Sequence, residues 1–306
     1  MNPTPPASCQ LAGSGAIIKF IDMNARNEKY ILNVKINGIS RKEVLDDIKI
    51  FLLSGSQHYI VTLNPEMVVE AQKNPHFKDV INRADRSIAD GIGIIFANKF
   101  LNDDSLPQRI GGIDLMLAIC ASDFIKNKKI YLLGAGKGIA EKTAKVLRNK
   151  YPNVNIVGAG EGIPAQITND KLQMTNKFTV SNTQHIISSK KTEYNRLNNE
   201  LIHRINDAKP DVLFVAFGAP KQEMWIYENI KKIPSIRLAI GVGGSFDFIS
   251  GKIKRAPRIM QKFGLEWLWR LIQEPKRINR ICNATVKFSW LVLRSKIQKI
   301  VITSRS

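Results

Sequence analysis

From Tyr30 to Gly241 the chain repeats one pattern: a short apolar run closed by turn residues, then a longer amphipathic segment of helical period. The runs at 30–36, 58–63, 86–89, 129–133, 153–157, 211–217 and 236–241 predict strands. Strands that alternate with helices build parallel sheets, because each parallel pair needs a crossover. The fold class expected is therefore α/β: a Rossmann-like, mostly parallel sheet flanked by helices, with a basic helical C-terminal appendage. Helix starts are marked locally. Ser40-Arg-Lys-Glu43 is a capping box, and Asn64-Pro65-Glu66 and Asn74-Pro75 each put Asn at an N-cap and Pro at the first helical position.

With 306 residues the chain can bury a sizeable core. Residues 1–28, rich in Pro, Ser, Gly and Asn, are expected to be a mobile leader, and 29–250 the α/β domain, with a polar surface insertion at about 162–192. The formal charge of +20 is uneven: residues 251–306 carry 14 Lys and Arg against Glu266 and Glu274, a net +12. Such a block calls for an anionic partner, whether nucleic acid, an anionic membrane or a phosphorylated substrate. Cys9, Cys120 and Cys282 are too few and too scattered for a disulfide framework or a thiolate metal site, which predicts a reducing, cytoplasmic setting. Neither a signal-peptide pattern nor an uninterrupted apolar segment near 20 residues is present, so a membrane role would be peripheral.

In an open parallel sheet, ligands bind outside the carboxyl ends of the strands, where the next helices begin. Five such ends carry glycine or small polar groups: Thr62 and Asn64; Asp90 and Gly91; Gly134 to Gly138; Gly218-Ala-Pro-Lys-Gln-Glu223; and Gly241-Val-Gly-Gly-Ser-Phe-Asp247. Asp90 is a single carboxylate between two apolar runs, and two roles are open to it. Asp-Gly is ordinary turn chemistry, with Asp bonding its own backbone and Gly91 at positive φ. A carboxylate at a strand end can also take a proton, and a bend at Gly91 would serve both.

Leu132-Leu-Gly-Ala-Gly-Lys-Gly138 is similar to a dinucleotide loop, in which Gly134 and Gly136 let backbone N–H groups approach a diphosphate. Its spacing is G-x-G-x-G, and tight strand-to-helix packing accounts for the glycines equally well. Gln222 and Glu223 would project from the positive end of a helix dipole with Trp225 behind them, either toward a ligand or as a simple helix cap. His58, His76, His185 and His203 show no paired metal spacing, and G-x-S-x-G and D-x-D are both missing. No metal and no cofactor are expected, so a diphosphate would need cationic side chains. Arg270, Arg277 and Arg280 follow the aromatic block Gly264-Leu-Glu-Trp-Leu-Trp-Arg270, and guanidinium forks suit phosphate oxygens, although Pro275 should break their helix. Farther on, Val286, Trp290, Leu293, Ile297 and Ile300 follow helical spacing among Lys and Arg, which reads as a membrane-surface helix or a face packed on the main domain. No recognised nucleic-acid motif accompanies the charge.

Taken together, these segments resemble the WecG/TagA/CpsF family of bacterial glycosyltransferases. The stretches that carry the resemblance are Thr62-Leu-Asn-Pro-Glu66, Ala89-Asp-Gly-Ile-Gly93, Gln108-Arg-Ile-Gly-Gly-Ile-Asp-Leu115, Leu132-Leu-Gly134, Pro210-Asp211, Gly218-Ala-Pro-Lys-Gln-Glu223 with Trp225, Gly241-Val-Gly-Gly-Ser-Phe-Asp247, Lys254-Arg-Ala-Pro257 and Gly264 through Arg277. The resemblance implies inverting, metal-independent transfer of a sugar, typically N-acetylmannosamine or its uronic acid, from a UDP-sugar to an undecaprenyl-diphosphate-linked sugar. It implies Asp90 as general base, Thr62, Asn64 and Gln222 at the sugar, and Arg109, Arg270, Arg277 and Arg280 at the diphosphate. Gly134, Gly136, Glu223 and Asp247 complete the candidate substrate-binding set. It further implies an appendage, residues 251–306, that closes over the site at the inner face of the cytoplasmic membrane. Gln108 and Met224 depart from the family's usual acidic residue and Lys. The competing expectation is a nicotinamide-dependent oxidoreductase built on the glycine loop, which leaves Asp90 and Gln222 without a role.

Overall fold

The structure is a computed structural model that describes residues 27–163 and 183–303, apart from the side chains of 183–190, 277, 279, 280, 283, 302 and 303. The leader through residue 26 and residues 164–182 of the expected insertion lie outside the described residues. The chain opens with β1 (Glu28–Ile31), β2 (Val34–Asn37), α1 (Arg41–Phe51), β3 (His58–Leu63), α2 (Pro65–Lys73), α3 (Pro75–Asn82), β4 (Arg86–Ala89), α4 (Ile92–Asn102) and α5 (Gly112–Cys120). It continues through β5 (Lys129–Gly134), α6 (Ile139–Lys150), β6 (Asn155–Gly160), α7 (Thr183–Ala208), β7 (Val212–Ala216), α8 (Lys221–Asn229) and β8 (Leu238–Gly241). The C-terminal segment holds α9 (Ser245–Ile249), α10 (Arg258–Lys262), α11 (Glu266–Gln273), α12 (Ile278–Cys282) and α13 (Phe288–Thr303), the last two joined by a π-helical stretch.

Six strands form one parallel sheet in the order β4-β3-β8-β7-β5-β6. Residues of β3, β7 and β8 are buried throughout, as a sheet covered on both faces requires. One face packs Met67 and Val68 of α2, Phe77 of α3, Ile94 and Ala97 of α4, Ile205 of α7 and Trp225 of α8. The other face packs Val44 and Ile48 of α1, Leu115 and Ile119 of α5, Ala144 and Leu147 of α6 and Phe246 of α9. The Ser40 capping box and the Asn64 and Asn74 N-caps form as expected, so each of these helices starts where its sequence dictates.

The run 30–36 is a correction. It forms the separate antiparallel hairpin β1–β2, because Leu32 and Asn33 take φ of +52° and +62° and reverse the chain in two residues. The hairpin lies against the edge strand β4, where Asn37 Oδ1 accepts the Ser87 amide at 2.8 Å. A side chain thus occupies an edge amide that could otherwise recruit another strand.

Of the expected insertion, residues from Thr183 onward begin α7. This helix docks through Tyr194, Leu201, Ile202 and Ile205, and Asn198 accepts the Trp225 indole N–H at 2.7 Å while donating to Asn229 at 3.0 Å. At the C-terminus, α11 stops at Gln273, before Pro275. Helix α13 is anchored by buried Phe288 and Val292, while Trp290, Leu293, Ile297 and Ile300 are exposed. No helix among the described residues is long and apolar enough to cross a membrane.

Arg86 is 1% exposed in the floor of the sheet, and its Nε meets Asp47 Oδ2 of α1 at 2.6 Å. Its guanidinium also lies over the Phe51 ring at 5.8 Å. A buried charge stripped of its partner destabilises far more than the intact pair stabilises. Asp47→Ala is therefore expected to lower unfolding stability in urea by about 3–5 kcal/mol, whereas replacing both partners with apolar residues of similar size should cost far less.

Candidate active site

The carboxyl ends of β4, β3, β8, β7 and β5 share one edge of the sheet. Asp90 follows β4 directly, its backbone N–H donating to Leu63 O of β3 at 2.9 Å. Gly91 then caps α4 with φ −98°, so positive φ is not what it supplies, contrary to the turn expectation. A Cβ on Gly91 would stand 2.6 Å from Pro65 Cδ, and the glycine is what lets the starts of α2 and α4 abut. The bend that presents Asp90 at the strand end is thus a product of close helix packing.

Charges of alternating sign surround Asp90. Arg109 Nη1 lies 3.5 Å from the Asp90 carbonyl oxygen, and Arg109 Nη2 meets Glu266 Oε2 of α11 at 2.7 Å. Arg255 holds Asp114 Oδ1 of α5 at 2.5 Å and Glu266 Oε1 at 3.4 Å. The carboxylates of Asp90 and Asp114 converge: a Cβ built on Gly111 would lie 3.3 Å from Asp90 Oδ1 and 3.2 Å from Asp114 Oδ2. Burial pushes the Asp90 carboxyl up to about 6, opposed by Arg109 and by the Gly112 amide and reinforced by Glu266 and Asp114. A carboxylate that titrates near neutrality can accept a proton at working pH and still be a useful base.

Thr62 and Asn64 lie on the neighbouring strand end. Thr62 donates its hydroxyl to Gly241 O at 2.9 Å, which ties the ends of β3 and β8, and Asn64 spends its side-chain oxygen on the Met67 amide as the α2 N-cap. Gln222 and Glu223 sit beneath the turn that follows β8 and are only 2% and 1% exposed. Gln222 Oε1 accepts from the Gly218 and Gly243 amides at 3.2 and 3.0 Å, and its Nε2 donates to Glu223 Oε1 at 2.6 Å. Glu223 Oε2 has no hydrogen-bond partner, and burial pushes this carboxyl up to about 7 against the Gln222 hydrogen bond, which lowers it. Gln222 thereby joins the loops after β7 and β8.

Arg270 of α11 lies on Gly244, where any side chain would collide with its guanidinium. It pairs with Glu274 at 2.8 Å and Asp247 at 3.6 Å, and covers the Phe248 ring at 5.1 Å. Lys252 also reaches Asp247, at 3.1 Å, and its Nζ stands beside Gly136. Gly134, at φ +110°, ends β5 and Gly136 follows it, three strands from β3 and so about 14 Å away at sheet spacing. The structure thus gathers Thr62, Asn64, Asp90 and Arg109 at one place, Gln222 and Glu223 beneath the adjoining loop, and Arg270 with Asp247 beside it. Arg277 and Arg280 follow α11, with side chains outside the described residues.

Sequence reasoning assigned no role to Asp114, Arg255 and Glu266, although each lies inside a stretch that carried the family resemblance. The available signal was charge for Asp114, the single acidic residue of Gln108–Leu115, and for Glu266, that of Gly264–Arg270, whereas Arg255 sits among other cations and carried none.

A model of the glycosyl transferase WecG/TagA/CpsF family matches residues 29–301. The chain is 31% identical over 225 residues to an N-acetylglucosaminyldiphosphoundecaprenol N-acetyl-beta-D-mannosaminyltransferase of Bacillus spizizenii, covering 74% of this chain and 75% of that protein. It is 30% identical over 268 residues to the protein of the same description from Staphylococcus aureus strain MRSA252, covering 87% and 92% respectively. These similarities give the oxidoreductase expectation no support. The chain belongs to the WecG/TagA/CpsF family of glycosyltransferases.

Proposed function

We propose that this chain transfers N-acetylmannosamine, or a closely related sugar, from a UDP-sugar to a polyprenyl-diphosphate-linked N-acetylglucosamine. The observation that carries this reading is the Asp90 carboxyl, raised to about 6 at a strand end and faced by Arg109. The printed activity of the two relatives supports the choice of sugars and lipid carrier. In the reaction the acceptor hydroxyl gives its proton to Asp90, its oxygen bonds the anomeric carbon, and the bond to the UDP oxygen breaks with inversion. Charge then develops on the leaving diphosphate, where arginine forks are effective stabilisers. Arg109 and Arg270 supply them here. Arg270 exchanges its partly buried carboxylate partners for the diphosphate, whereas Arg109 keeps Glu266 on Nη2 and donates with its other N–H groups. Gln222 serves by holding the loops after β7 and β8 around the sugar.

The acceptor places the enzyme at a membrane surface. Supporting this, every exposed large apolar side chain among the described residues, apart from Tyr30 and Leu53, lies on α4 or beyond residue 258. Phe96 and Phe100 of α4 adjoin α13, whose Lys296 reaches both the Phe100 ring and Asp103. An apolar face rimmed by cations suits an anionic leaflet, and the side of the membrane is the one that holds UDP-sugars.

Asp90→Asn is expected to lower kcat by about 10²- to 10⁴-fold while UDP binding, measured by calorimetry, stays within a few-fold of native. Because the base must be ionised, activity should fall as pH drops through about 6, and this limb should vanish from the residual activity of the Asn variant. Leu293→Gln combined with Ile297→Gln should weaken sedimentation with phosphatidylglycerol vesicles by about 10-fold or more, since each side chain withdrawn from the apolar phase forfeits about 1.5–3 kcal/mol.

A further inference from the structure

Glu266 is the middle member of the charge chain around Asp90, and it joins two regions that are far apart in sequence, 109–114 and 255–266. One of its oxygens takes Arg109, from the α4–α5 connection, at 2.7 Å; the other faces Arg255 at 3.4 Å, and Arg255 in turn holds Asp114 of α5 at 2.5 Å. The side chains of these four residues are between 19% and 32% exposed, sheltered compared with the ordinary surface pairs Arg83–Asp79 and Arg196–Glu200, where both partners exceed 45%. Glu266 stands on the first turn of α11, and its carboxylate can serve both guanidinium groups only while that helix lies over the start of α5.

We propose that Glu266 is a positioning residue for the transfer reaction: it fixes Arg109 beside Asp90 and, through Arg255, latches α11 onto the catalytic layer. This rests on the reading of Asp90 as base. When α11 lifts, Arg109 and Arg255 lose their shared partner together, and Asp90 loses the cation that opposes its desolvation. Docking of the C-terminal segment and readiness of the base are thereby one event. Proximity alone would give surface pairs worth little. A shared, partly buried carboxylate makes the two arginines interdependent.

The groups that face Asp90 are Arg109, which favours its ionised form, and Glu266 and Asp114, which oppose it, with Arg255 behind the two carboxylates. Two substitutions separate the effects. Glu266→Gln keeps an oxygen for Arg109 but removes a negative charge near Asp90, so the acid limb of kcat should move to lower pH. Glu266→Ala also releases Arg109, the larger of the two influences, so the limb should move to higher pH and kcat should fall about 10-fold or more. Independently of turnover, tryptic cleavage at exposed Arg258 and Lys262 should be about 10-fold faster in the Ala variant, because opening of α11 then costs less. Limbs that shift in the same direction or not at all would overturn the proposal, as would native cleavage rates. If Asp90→Asn retained normal turnover, the base assignment would fall instead, and the cleavage comparison would still decide the latch.

Discussion

The pairing of β3 with β8 is the contact on which the site depends. His58 lies opposite Leu238 and Ile60 opposite Ile240, so the first and last strands of the main sheet are neighbours in its interior. Every crossover between them must then be accommodated outward, with β4 on one side and β7, β5 and β6 on the other. The chain reverses its direction of winding at β3 and β8, and in open α/β sheets the crevice at such a switch point is where ligands bind. Thr62 records the junction chemically by donating to Gly241 O. Asp90 lies one strand to one side of that junction and Gln222 just beneath it.

Much of this was legible in the sequence, for identifiable reasons. Buried parallel strands read as continuous apolar runs, so β3, β4 and β8 fall where the runs fall, and Pro65 and Pro75 mark helix starts because proline tolerates only the first turn. The hairpin was hidden because Leu32 and Asn33 reach positive φ without glycine. Helix α13 was ambiguous for another reason: it is apolar on more than one face, and periodicity cannot say that Phe288 and Val292 go inward while Leu293 and Ile297 go outward. Asp90 and Arg109 were found from a strand end and a motif. Arg255 and Asp114 meet across 141 residues, and no local pattern encodes a contact of that span.

The site also shows how one fold holds carboxyl groups in different conditions. Asp90 is raised by burial but retains a cation and a backbone N–H as counterweights. Glu223 has no cation beside it, takes only amide donors from Gln222 and its own backbone, keeps one oxygen without a hydrogen bond, and is raised to about 7. The first arrangement leaves a proton acceptor available to a ligand. The second leaves Glu223 inside the scaffold, where burial disfavours its charged form and its Oε1 holds the Gln222 amide beneath the two loops.

The exposed apolar residues have a consequence at the scale of the whole molecule. With Phe96 and Phe100 on one helix and Ile259, Phe263, Leu293 and Ile297 on the C-terminal segment, the protein is wetted unequally, as a surfactant is. A body of that kind adsorbs at an oil–water boundary with a preferred orientation set by its own asymmetry. Helix α4 begins two residues after Asp90, so at such a boundary the depth its phenyl groups reached would also set the height of Asp90, the proposed base. A hydroxyl attached to a lipid by a short, charged linker is presented at a narrow range of heights, and on the proposed reading α4 would be the chain's ruler for it.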